Sequence, residues 1–88
     1  MAKSKVIWNL VVFNQYTNDW YVRNHFRTKR NAQMWMSDEL IDMMNNKDCK
    51  VLENNPNSIK IEGIFGGITH YKVEKYTPKP NEVISYTL

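Results

Sequence analysis

Two stretches of alternating, β-forming residues on either side of a short polar turn constrain this chain more than any other feature. Residues 5–14 carry Val6, Ile7, Trp8, Leu10, Val11, Val12 and Phe13. Trp20 to Arg27 repeats the pattern after Tyr16-Thr17-Asn18-Asp19. Branched and aromatic side chains with period two mark strands, and an Asn in the turn tolerates positive φ. A three-residue loop at 16–18 pairs Asn14 with Trp20, Val12 with Val22 and Trp8 with Phe26. One face of the hairpin then holds Trp8, Leu10, Val12, Trp20, Val22 and Phe26, a core face.

A helix is expected next, from about Lys29 to Asn45, with Thr28 as its N-cap. Ala32, Met36, Leu40, Met43 and Met44 share one stripe at helical spacing and should cover the hairpin's core face. Asn45-Asn46-Lys47-Asp48 ends the helix. A short strand is expected over Lys50 to Glu53, then a turn at Asn54-Asn55-Pro56-Asn57-Ser58. Ile59 to Ile64 and Ile68 to Tyr76 read as a second hairpin. A three-residue loop, Phe65-Gly66-Gly67, sets Ile59 against Val73 and Ile61 against Tyr71, with Gly67 at positive φ. After Tyr76, Thr77-Pro78-Lys79-Pro80 breaks regular structure. Residues 1–76 are thus expected to form one small domain and residues 77–88 a loose tail. The order β-β-α-β-β-β gives an α+β fold, an antiparallel sheet with one helix packed on one face.

Eighty-eight residues hold one core rather than two. The single Cys49 has no internal disulfide partner. The longest apolar run near the start, Leu10-Val11-Val12-Phe13, is too short to span a bilayer, and no signal peptide is evident. A cytoplasmic protein is expected, with no membrane partner. Eleven Asn, together with many Lys and Ile, fit coding from an AT-rich genome, such as those of many bacteriophages.

The net charge of +3 is unevenly spread. Residues 1–36 carry +5 and residues 37–88 carry −2, so the positive half invites an anionic partner: RNA, single-stranded DNA or an acidic protein surface. Alternation places Tyr21, Arg23, His25 and Arg27 together on the sheet face away from the helix, with Phe13 beside Tyr21 and Asn9 beside His25. Rings that stack on bases and cations that meet phosphates suit single-stranded nucleic acid. Lys29 and Arg30 extend the patch to the helix start. Cations there oppose the helix dipole at a cost of about 0.3–1 kcal/mol each, and no acid lies four residues on, where Gln33 and Met34 stand. A bound anion relieves that repulsion. The plainer reading is the ordinary polarity of a half-exposed sheet.

Met34, Trp35 and Ile41 on the helix, with Ile64 and Ile68 near the second hairpin, lie outside the core stripe. They form a candidate surface for a protein partner or a homodimer. A catalytic reading would pair His25 with His70 as acid and base of a metal-independent ribonuclease, with Arg23 or Arg27 steadying phosphate. No zinc spacing, phosphate-binding Gly loop or calcium cradle is present in the sequence, so no metal or cofactor is expected. The leading expectation is a non-enzymatic accessory protein that contacts RNA, single-stranded DNA or a protein–nucleic acid complex through the basic-aromatic face. Its rival is a phage-type inhibitor that blocks a host or defence protein.

Overall fold

The computed structural model describes residues 6–45, 49–63 and 65–87. Five antiparallel strands and one helix follow the expected order: β1 (Ile7–Asn14), β2 (Asp19–Phe26), α1 (Lys29–Asn45), β3 (Lys50–Asn55), β4 (Ser58–Glu62) and β5 (Ile68–Tyr76). The strands make one sheet in the order β2-β1-β5-β4-β3. The α+β class is therefore as the residue pattern implies. β1 and β5 pair in the middle, from Ile7 opposite Tyr76 to Phe13 opposite His70.

The helix covers one face of the sheet. Leu10, Val12, Phe26, Ala32, Met36, Leu40, Ile59, Ile61, Tyr71 and Val73 form the core beneath it, with Trp8, Trp35, Met43 and Cys49 packed at its margin. Ala32, Met36 and Leu40 are four residues apart, and each such step rotates the stripe by about 40°. By the third step from Ala32 it has left the sheet. Met44 therefore faces solvent, against expectation, while Met43 packs against the core as expected. At the other end Thr28 caps as expected: its Oγ1 accepts from Asn31 N at 3.2 Å.

The first hairpin departs from the expected register at one place, past Leu10. Trp8 opposes Phe26 and Asn9 opposes His25, as expected, but Val12 opposes Tyr21 and Asn14 opposes Asp19. β2 uses one extra residue, Arg23, between the partners of Leu10 and Val11. The loop accordingly has four residues, 15–18, because Asn14 Oδ1 accepts from the backbone N–H groups of Tyr16 (2.9 Å) and Thr17 (3.4 Å) and closes the turn. Asn18 takes the positive φ of 57°.

The second hairpin is also longer than expected. Ile59 opposes Tyr71 and Ile61 opposes Thr69, a shift of two residues that leaves every side chain on its expected face. Gly63 N donates to Gly67 O at 2.8 Å and Gly66 N to Gly63 O at 3.0 Å. These bonds keep Gly63, Gly66 and Gly67 out of the ladder, and the positive φ falls on Gly66, not Gly67. β3 runs two residues further than expected, to Asn55 opposite Ser58, so the turn narrows to Pro56-Asn57. Gln33 Nε2 on α1 donates to Asn57 Oδ1 at 2.8 Å and ties the helix to that turn.

Residues 77–87 hold no helix or strand, only one parallel bridge from Tyr86 to His25. Loss of the Thr28 cap should be felt across the fold, since α1 is the one layer over the core. Thr28→Ala is expected to lower the free energy of unfolding by about 1 kcal/mol, read from urea denaturation, with the slope against urea unchanged.

Candidate nucleic-acid interface

The extra residue at Arg23 decides which side chains share a face. With Arg23 inserted, β2 presents Tyr21 and Arg23 to the helix side and Trp20, Val22 and His25 to the outer side. The expected set of Tyr21, Arg23, His25 and Arg27 is therefore divided. Arg23 turns to the helix side, its side chain still partly exposed: Nη2 pairs with Glu39 of α1 at 2.7 Å, and Nη1 donates to Tyr71 Oη at 3.2 Å. Burial raises the Tyr71 phenol above its ordinary value, opposed by the Arg23 charge. Arg23 thus joins helix to sheet and is engaged on both sides of its guanidinium.

His25 lies on the outer face, where its Nδ1–H donates to Asn9 Oδ1 at 2.7 Å. Asn9 is buried, and the bond satisfies its carbonyl. His70 also lies on the outer face but beside Phe13, four residues along β1 from Asn9. At 3.2–3.4 Å per residue, that separates the two imidazoles by roughly 13 Å along the sheet. They do not form an acid–base pair in this arrangement.

His70 belongs instead to a cluster that the residue pattern did not reveal. The outer face carries a row of paired residues, Glu53, Lys60, His70, Phe13 and Trp20, one from each strand. The Trp20 ring lies 5.3 Å from Phe13 and 4.9 Å from His70, with Lys72 Nζ 4.6 Å from its centroid. Ser58 Oγ donates to Glu53 Oε2 at 2.6 Å and stands 3.0 Å from His70 Nε2. The hydroxyl has one proton, and Glu53 takes it, so His70 meets Ser58 as a donor. A nucleophilic serine needs the reverse polarity, with imidazole accepting. Burial, then Lys60 and Lys72, hold His70 below its ordinary pKa, against the pull of Glu53. The hydrogen bond from Ser58 is the main cause holding Glu53 below the usual carboxylate value.

The remaining expected residues, Arg27, Lys29 and Arg30, gather where β2 hands over to α1. All three are exposed, and among the described residues no ion pair engages them. The first turn of α1 contains no acid. Two of the cations lie against rings: Arg27 Cζ is 4.0 Å from the Tyr86 centroid and Lys29 Nζ is 5.2 Å from that of Trp8. Neither ring was among the expected site residues. Trp8 reads as core by alternation, and it does pack on the core margin. Tyr86 sits in a segment whose only signal is an isolated aromatic beyond the prolines.

Of the expected apolar surface, Met34 and Ile41 are more than half exposed on α1, and Ile68 is exposed at the start of β5. Trp35 is half-buried, its ring 5.9 Å from Phe26. Ile64 lies outside the described residues. Among the described residues, no group of three or more His, Cys, Asp or Glu side chains is placed to hold a metal ion. No helix among them is long and apolar enough to cross a membrane.

Two outcomes follow from this geometry. Arg23→Met removes a charge-assisted bond between helix and sheet, partly open to solvent, and is expected to lower the unfolding free energy by roughly 1 kcal/mol, measured in urea. For His70 the folded state disfavours protonation. Its contribution to stability is complete above the unfolded pKa of about 6.5 and is lost as pH falls through the lower folded value. The melting temperature should therefore drop between pH 7.5 and pH 5.5, and His70→Asn should drop less over the same interval. An equal drop in both would contradict the assignment.

Comparison of the chain with known protein families, characterised proteins and solved structures finds no match.

Proposed function

We propose that the protein binds single-stranded nucleic acid, RNA or DNA, as a non-enzymatic accessory factor, and that the start of α1 is the contact. The observation that carries this reading is a trio of exposed cations, Arg27, Lys29 and Arg30, with no ion-pair partner among the described residues and with Lys29 lying against the Trp8 ring. Cations at a helix start are costly to the bare protein. A phosphate backbone would turn that cost into affinity, since it supplies the anions that the first turn lacks. The Trp8 ring beside Lys29 offers a face on which bases stack regardless of sequence. Arg23, the other cation of the first hairpin, pairs with Glu39 and has no part in this contact.

If three phosphates are neutralised, the slope of log affinity against log salt for a single strand is about −2, or roughly a twenty-fold loss between 50 and 200 mM salt. Fluorescence anisotropy with a labelled oligonucleotide measures it. Lys29→Ala and Arg30→Ala should each weaken binding and reduce the slope by about 0.7. Affinity that does not change with salt would rule the reading out.

A second reading, an inhibitor docked on a protein target, draws on Met34 and Ile41, which stand exposed about two turns apart on α1. A partner retained from lysate after nuclease treatment, and lost with Met34→Lys, would favour it. A partner lost on nuclease treatment favours nucleic acid.

A further inference from the structure

The segment after β5 returns to the first hairpin and ends on the residues just described. Tyr86 bridges His25 in parallel, and Thr87 N donates to His25 O at 2.8 Å. Asn24 Nδ2 donates to Thr87 Oγ1 at 2.9 Å. The Tyr86 ring fills one side of a shallow cleft of about 260 Å³ whose other walls are Val6, Ile7 and Arg27. Its centroid lies 4.0 Å from the Arg27 guanidinium carbon, well within cation–π reach.

We propose that Arg27, with Val6 and Ile7, forms a subsite for one nucleobase, and that Tyr86 occupies it in cis as an internal ligand. This rests on the nucleic-acid reading above and adds to it a subsite and its regulation. A guanidinium stacks on any flat π face, and a base and a phenol present the same face to it. Two apolar side chains complete the cleft, as a ring requires, and Lys29 and Arg30 follow in the chain to take the adjoining phosphates.

The hold on the tail is slight. Among the described residues, one backbone bridge that includes the Thr87–His25 bond, one side-chain bond from Asn24 and the Arg27 contact secure Tyr86 and Thr87, while Val83 is almost wholly exposed. The latch is also an imperfect match. Asn24 gives its N–H to Thr87, but its buried Oδ1 has no hydrogen-bond partner among the described residues. A tethered segment competes at high local concentration, so a weak latch still lowers the apparent affinity for an external base by the fraction of time it is closed.

The test uses the full chain and a fluorescein-labelled twelve-nucleotide oligo(U) at 50 mM salt. Tyr86→Ala should bind at least about five-fold more tightly than the wild type, because the competing ring is gone. In the wild type, NMR hydrogen exchange at the Thr87 amide should quicken when oligo(U) saturates the protein. This second measurement stands even if the variant folds poorly. Wild-type binding that Tyr86→Ala leaves unchanged or weakens, or a Thr87 amide equally or better protected in the complex, overturns the internal ligand alone. Absence of oligo(U) binding by both proteins overturns it together with the nucleic-acid reading.

Discussion

Arg23 is clamped between Glu39 on the helix and Tyr71 on the central strand β5. A strand in strict alternation with its neighbours could not deliver that side chain to the helix side and still keep His25 opposite Asn9 on the outer side. The inserted residue in β2 reconciles the two. It lets Phe26 reach the core at one end of the strand and Trp20 reach Phe13 and His70 on the opposite face at the other. Bulges redirect side chains in this way and sharpen the local twist. The division of the molecule into a helix-covered core and a polar-aromatic outer face thus turns on one residue of one strand.

Much of this fold is legible in the amino-acid pattern. The five strands, the helix from Lys29 to Asn45, the Thr28 cap and the core residues Leu10, Val12, Phe26, Ala32, Met36 and Leu40 all follow from periodicity and capping chemistry. Sheet order does not, because periodicity gives each strand a buried face but no neighbour. Nor does the register past Leu10. A bulge leaves no trace in composition, and Arg23 looks like any outward cation until Glu39 is found beside it. The candidate site suffered from the same error. Arg27, Lys29 and Arg30 were visible because they lie beyond the bulge and carry charge against the helix dipole. Trp8 was hidden in the core stripe, and Tyr86 in a segment without pattern.

The cations of this small protein fall into two kinds. Arg23 and Lys72 are used internally, one by a carboxylate and a phenol, the other by the Trp20 ring. Arg27, Lys29 and Arg30 have no ion-pair partner among the described residues. Surface potential is set by the second kind. That is why a net charge of only +3 can concentrate at one end of the molecule, beside a helix terminus whose dipole has the same sign.

The central position of β1 and β5 has a consequence for the order in which the chain assembles. Ile7 pairs with Tyr76, so the middle of the sheet joins residues almost seventy apart in sequence. Pairings of that span close late, because loop entropy is lost before any contact repays it. Until residues 68–76 arrive, β1 has a partner on one side only, and its free edge carries Leu10, Val11 and Val12. The interval between synthesis of the first hairpin and docking of β5 is therefore when this protein is most exposed to pairing with the wrong strand.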